Sequence, residues 1–311
     1  MAFPCWDVKK CHFLYPQCEH GSDHSLGNGA TQLPASGNLP EVSGPRVVCW
    51  VSQAHIKPRG HMRKSLKITA AFVGLLVSCL CWLAWQLYSE VQKTQSEDPV
   101  VWEEAVSALE SKTRGLYGPG EGVVFIGSSS IRLWDTLADD MAPLPVIQHG
   151  FGGSKLNDIV VYAERLVNVY QPRAVVVFAG TNDIIPAASK IPEVLLASYQ
   201  EFVRKIRSDQ PALPIFYIGI TPSPLRWAAW PIAQSTNALI KAWSETDPNL
   251  YFIDTSEALM GNDGEPNPEN YIIDGLHLNK RGYEIWREII RTQLASELGD
   301  FSGVIGSSPS A

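Results

Sequence analysis

The chain divides into three stretches by its pattern of apolar and polar positions. Residues 1–61 carry no sustained period and are rich in Gly, Pro, Ser and His, the pattern of a disordered segment. From Ile68 to Ser89 no charged residue occurs and nearly every position is apolar, long enough for a helix to span a bilayer. Residues 90–98 are polar and read as a linker. From Pro99 onward, short apolar runs alternate with longer amphipathic ones. The apolar runs predict strands at 122–127, 145–149, 174–179, 214–220 and 250–254. The amphipathic runs predict helices over 99–114, 155–170, 192–209, 232–246 and 280–298. Over 155–170, Leu156, Ile159, Val160, Ala163, Leu166, Val167 and Tyr170 fall on one helical face.

Strands this short and this apolar suit a parallel sheet covered on both faces. Strand and helix in alternation predict a doubly wound, three-layer α/β/α sandwich. In such sheets the active site lies at the carboxyl ends of the strands.

Charge narrows the partners. Residues 90–311 carry 28 acidic and 17 basic residues, a net of −11. An acidic domain without a basic patch argues against nucleic acid. All cysteines (Cys5, Cys11, Cys18, Cys49, Cys79 and Cys81) precede residue 82, so the C-terminal domain has no disulfide, thiol nucleophile or Cys-based metal site. Cys5, Cys11, His12, Cys18, His20 and His24 match no standard zinc spacing. No metal and no cofactor is expected.

The flanks of the apolar run differ in sign. Lys57, Arg59, Arg63, Lys64 and Lys67 precede it; Glu90, Glu97, Asp98, Glu103 and Glu104 follow it. The positive-inside rule places the N-terminus in the cytoplasm and residues 99–311 outside. Trp82, Trp85 and Tyr88 fit an interfacial belt at the outer end. Two cleaved alternatives compete. Met62-Arg63-Lys64-Ser65-Leu66-Lys67 resembles a start followed by a basic n-region, which would make residues 1–61 a non-native extension. Leu76-Val77-Ser78-Cys79 resembles a lipoprotein signal. The apolar run continues past Cys79 to Leu87, so residues 62–89 read as an uncleaved signal anchor that crosses the membrane through 68–88.

Four short blocks carry chemistry: Gly127-Ser128-Ser129-Ser130, Gly150-Phe151-Gly152-Gly153, Gly180-Thr181-Asn182-Asp183 and Asp274-Gly275-Leu276-His277. The first three follow predicted strands. Nucleophile, oxyanion donors and a base with its orienting acid are the parts that acyl transfer needs. Ser129 is the candidate nucleophile, with Ser128 and Ser130 as local rivals. Gly153, through its backbone, and Asn182, through its side-chain amide, are candidate oxyanion donors. Gly150 reads as turn chemistry and Asp183 as structural. His277 is the candidate base, with Asp274 three residues earlier to hold its tautomer. Of seven histidines only His149 and His277 lie beyond residue 61, and His149 reads as a packing or polar residue. Trp227 and Trp230, after the fourth strand, are candidates for a substrate-binding wall.

These blocks resemble the SGNH hydrolases, the GDSL-type lipase/esterase family, over about residues 120–295. The family's Ser, Gly, Asn and His correspond to Ser129, Gly153, Asn182 and His277. The resemblance implies a flavodoxin-like sandwich of about five parallel strands. It also implies ester hydrolysis through an acyl-enzyme, with oxyanion donors from the Ser129 N–H, the Gly153 N–H and the Asn182 amide. Two positions depart from the family pattern: Ser128 stands where Asp is usual, and Gln148 where Asn is frequent.

The leading expectation is a membrane-anchored serine esterase acting on a small-molecule, lipid or acylated-sugar ester. An O-acyltransferase for cell-envelope glycans would use the same three residues. A flavodoxin-like phosphate- or cofactor-binding module would use the Ser-rich loop and has no need of Asp274 and His277.

Overall fold

The computed structural model describes residues 60–185 and 189–299. The expectations for residues 1–59, a disordered extension and a Cys/His cluster without zinc spacing, lie outside the described residues. Helix α1 (Gly60–Gln95) contains the apolar run. Its stretch Ile68–Gln95 is long and apolar enough to cross a membrane, and none of its apolar window is buried. The helix continues through 90–95 because no Gly or Pro interrupts Gln86-Leu87-Tyr88-Ser89-Glu90-Val91-Gln92-Lys93-Thr94-Gln95. It ends where Asp98 accepts the Val100 N–H and Pro99 opens a tight turn, Pro99–Trp102. Helix α2 (Glu103–Thr113) follows, so the predicted helix over 99–114 forms in two parts.

All five predicted strands form: β1 (Val123–Gly127), β2 (Val146–Gly150), β3 (Ala174–Phe178), β4 (Ile215–Ile218) and β5 (Leu250–Ile253). They pair in parallel in the order β2-β1-β3-β4-β5. This is the flavodoxin-like order, with a switch point between β1 and β3. The period of two along each strand divides the apolar residues between two cores. Val124, Ile126, Val175, Val177, Ile215 and Tyr217 face α5 (Leu156–Leu166) and α6 (Pro192–Ile206). Val123, Phe125, Val176, Phe178, Phe216 and Ile218 face α9 (Lys280–Leu298). Helix α7 (Trp230–Ser244) completes the first layer through Ile240. Three short helices also form: α3 (Ser129–Arg132), α4 (Leu137–Met141) and α8 (Ser256–Leu259).

Helix α9 is anchored by an aromatic layer. Trp286 is fully buried and lies edge-on to Phe178 and Trp134, with centroids 4.9 and 5.8 Å away. Tyr283 stacks on Trp134 at 5.4 Å and donates its hydroxyl to the Ser130 carbonyl. These rings dock the start of α9, and the chain just before it, against the loop after β1.

Candidate active site

The turn after β1 is fixed by close backbone approach. A Cβ on Gly127 would lie 2.2 Å from the Phe178 carbonyl oxygen, and one on Gly150 would lie 2.1 Å from the Arg132 nitrogen. Both glycines let neighbouring backbones meet, which gives Gly150 a packing reason beyond turn chemistry. The Ser128 N–H donates to the Phe178 carbonyl, and the Ser128 carbonyl accepts from Ile131 and Arg132. Gln148 donates to the carbonyls of Ile131 and Trp134, at 2.7 and 3.0 Å. It thus ties β2 to the segment after Ser129. Ser129 opens α3, so its N–H has no intrahelical acceptor.

Geometry separates the three serines. Ser128 is buried, and the Ser130 carbonyl is held by Tyr283. The Ser129 Oγ lies 2.8 Å from His277 Nε2. On the other side of that ring, His277 Nδ1 lies 2.6 Å from Asp274 Oδ2. The second carboxylate oxygen of Asp274 accepts the N–H groups of Leu276 and His277 at 2.9 and 3.0 Å. Partial burial would raise the Asp274 carboxyl, but these bonds outweigh it and hold it below its ordinary value. An ionised carboxylate only accepts, so Nδ1 carries the ring proton and Nε2 is free to accept from Ser129. Gly275 supplies the left-handed residue (φ +63°) that folds acid and base onto one turn. The Leu225 N–H holds that turn through the Gly275 carbonyl.

The second and third blocks meet each other. Asn182 Nδ2 donates to the Ser154 carbonyl at 3.1 Å, beside Gly153. Gly153 has φ +83°, and a Cβ there would lie 2.2 Å from Thr94 Cγ2. Asp183 is buried, accepts the Leu156 N–H and pairs with Lys190, as a structural residue would.

A cleft opens beside Ser129, lined by Ser128, Ser129, Ser130, Phe178, Thr181, Asn182, Thr221, Ser223 and Leu276. Gly153 is not part of this lining. Thr221 and Ser223 were legible only as residues at the carboxyl end of β4. Trp227 and Trp230 do not line the cleft either. Trp230 is buried with Ile184, Leu195, Ile220 and Ala233, and Trp227 stacks on it at 6.2 Å. Trp230 gains more by filling this small core than by facing water, and Trp227, half-buried, packs against it.

His149 is remote from this chemistry. It is fully buried, donates Nδ1–H to the Leu166 carbonyl and lies 2.9 Å from the Thr113 hydroxyl. Burial pushes its pKa down to about 4, against the raising effect of the Leu166 carbonyl. The unfolded chain therefore binds a proton below about pH 6.5 that the folded chain refuses until about 4. Stability should fall as pH drops through that window, by as much as a few kcal/mol. Urea titrations at pH 7 and pH 4.5 check this. An equal loss in a folded His149→Gln variant would assign the effect to other groups.

The fold thus gathers serine, histidine and aspartate at the carboxyl edge of a parallel sheet. The sequence matches the GDSL-like Lipase/Acylhydrolase family over residues 117–285, and the chain belongs to that family. It is an ester hydrolase. The fold recurs in a GDSL-like lipase from Bacteroides thetaiotaomicron, at 21% identity and TM-score 0.54, covering 61% of this chain and 97% of that one. It recurs in an acylhydrolase by assignment from Bacteroides fragilis, at 23% identity and TM-score 0.55, covering 62% and 96%. A structure assigned as a platelet activating factor from Streptococcus pneumonia has 17% identity and TM-score 0.56, covering 69% and 99%. Comparison with curated proteins gives no match.

Proposed function

We propose that the chain is a membrane-tethered serine esterase working through an acyl-enzyme on Ser129. The observation that carries this reading is the continuous bond path from Ser129 Oγ through the His277 ring to Asp274. Ser129 attacks the ester carbonyl while His277 Nε2 takes its proton. Asp274 stabilises the resulting imidazolium. The oxyanion accepts from the Ser129 N–H, the Gly153 N–H and Asn182, whose amide keeps a second hydrogen beside the one given to Ser154. Collapse breaks the ester C–O bond, and His277 returns the proton to the departing alkoxide. Water then repeats the sequence on the acyl-enzyme and frees Ser129.

Seven of the nine residues lining the cleft carry a hydroxyl or amide group, and Phe178 and Leu276 are its apolar members. That composition suits a short acyl group. Tethering through the apolar run of α1, with the N-terminus in the cytoplasm and the hydrolase domain outside, is supported by the charge asymmetry of its flanks.

The test is hydrolysis of p-nitrophenyl esters, acetate through palmitate, by the full chain in detergent micelles. Turnover is expected and should be fastest on the short esters. A folded protein that hydrolyses none of them, but moves acetyl groups onto a sugar acceptor, would replace the esterase reading with the O-acyltransferase one.

A further inference from the structure

The last turn of α1 and the segment after it reach both loops that carry the proposed oxyanion side of the site. Thr94 packs its methyl against Gly153. Lys155, two residues after Gly153, is buried apart from a 5% side-chain exposure. Its ammonium donates to the Ser96 carbonyl at 2.8 Å and to Glu97 Oε1 at 2.5 Å. The other oxygen of Glu97 lies 3.0 Å from the Lys190 ammonium. Lys190 pairs with Asp183, the residue after Asn182, also at 3.0 Å. Asp183 in turn accepts the Leu156 N–H at 2.9 Å. The Lys155 N–H donates to Asp158, which also accepts the Trp102 indole N–H. One carboxylate therefore bridges the loop of Gly153 and the loop of Asn182.

We infer that Glu97 is a positioning residue that sets the spacing of the Gly153 and Asn182 oxyanion donors, acting through Lys155 and Lys190. This rests on the esterase reading of those two residues. Partial burial would raise the Glu97 carboxyl, and the bonds and charges of the two lysines outweigh that and hold it below its ordinary value. The carboxylate is therefore ionised at neutral pH. Its side chain is 63% exposed, whereas the Lys155 ammonium it meets is buried and otherwise held by the Ser96 carbonyl, so losing Glu97 also costs some stability. What the bridge contributes to catalysis is geometry. Donors are effective when held at the position the oxyanion will occupy, and small displacements are costly in rate. The bond from Asn182 to Ser154 fixes one edge of this arrangement. The Glu97 bridge ties the same two loops a second time, through Lys155 and Lys190.

The test compares the full chain with Glu97→Ala, Glu97→Asp and Glu201→Ala, the last breaking a surface pair with Arg204 on α6. The wild type is measured on p-nitrophenyl acetate, with kcat and KM separated and melting followed by circular dichroism. For Glu97→Ala, kcat measured well below the variant's melting temperature should fall about tenfold with KM within about twofold, whatever the modest loss in melting temperature. Glu97→Asp should recover part of the loss, and Glu201→Ala should match wild type. Hydrogen exchange of the 152–156 and 181–183 amides should quicken in Glu97→Ala, a readout that needs no turnover. Unchanged kcat and unchanged exchange in Glu97→Ala would overturn the positioning role, as would a kcat loss that only tracks lost folding. A wild-type chain without turnover would instead overturn the esterase reading.

Discussion

Ser129→Ala is expected to lower kcat on any ester substrate by at least about 10⁴-fold while leaving the fold intact. The substitution removes one oxygen, whose single side-chain partner is His277 Nε2. The backbone that holds it is unchanged: Ser128 still bonds Phe178, and Gln148 still bonds Ile131 and Trp134. Neighbouring Ser128 is nearly fully buried, and the His277 ring meets the Ser129 hydroxyl instead. Ser130 lies one position further along α3 and has no bond to His277. Because nucleophile and base act as one unit, the double variant Ser129→Ala/His277→Ala should be no worse than either single one. Steady-state rates on p-nitrophenyl acetate, with melting curves for each protein, check both statements. Turnover by Ser129→Ala within tenfold of wild type would remove Ser129 from the mechanism.

Asp274→Asn is expected to cost about 10⁴-fold in kcat with little change in structure. Asparagine is nearly the same shape, and its oxygen can still accept the Leu276 and His277 N–H groups that Asp274 holds. Its nitrogen must then face His277 Nδ1 as a donor. That makes Nδ1 the acceptor and shifts the ring proton to Nε2, which can no longer accept from Ser129. The loss should come from the wrong tautomer and not from a displaced loop. Heteronuclear NMR of the labelled His277 ring checks the tautomer directly. An Asp274→Asn variant with near wild-type turnover would mean that Asp274 only shapes the turn.

Much of this architecture was legible because burial leaves a strong mark. Val123-Val124-Phe125-Ile126 and Ala174-Val175-Val176-Val177-Phe178 are apolar at every position, as central parallel strands covered on both faces must be. Helices α5, α6, α7 and α9 were legible from their apolar faces. The helices α3, α4 and α8 were not, since four or five residues hold too little of a 3.6-residue period to detect. Within the site, Asp274 and His277 stood out because their relation is local. The three consecutive serines did not sort themselves, because what separates them is a base 148 residues away. Trp227 and Trp230 suggest a substrate wall from chain position alone, and their mutual stacking within a small core carries no sequence signal. The bridge from Glu97 to Lys155 and Lys190 is equally silent, since it joins residues that only the folded chain brings together.

The turn that holds both Asp274 and His277 has a consequence for how the machinery assembles. Its internal contacts close over three residues, with Gly275 supplying the bend. Acid and base can thus find each other early, before the sheet is complete. Only the meeting of His277 with Ser129 spans the domain, and the aromatic docking of α9 delivers it. Closing a longer loop adds only about 0.6 kcal/mol for each doubling of its length. Surface insertions between α3 and residue 271 that spare the Gly153 and Asn182 blocks and Leu225, which holds the Gly275 carbonyl, should therefore leave Asp274 and His277 aligned. On the proposed mechanism, the onset of activity during refolding should follow the seating of α9 on the sheet.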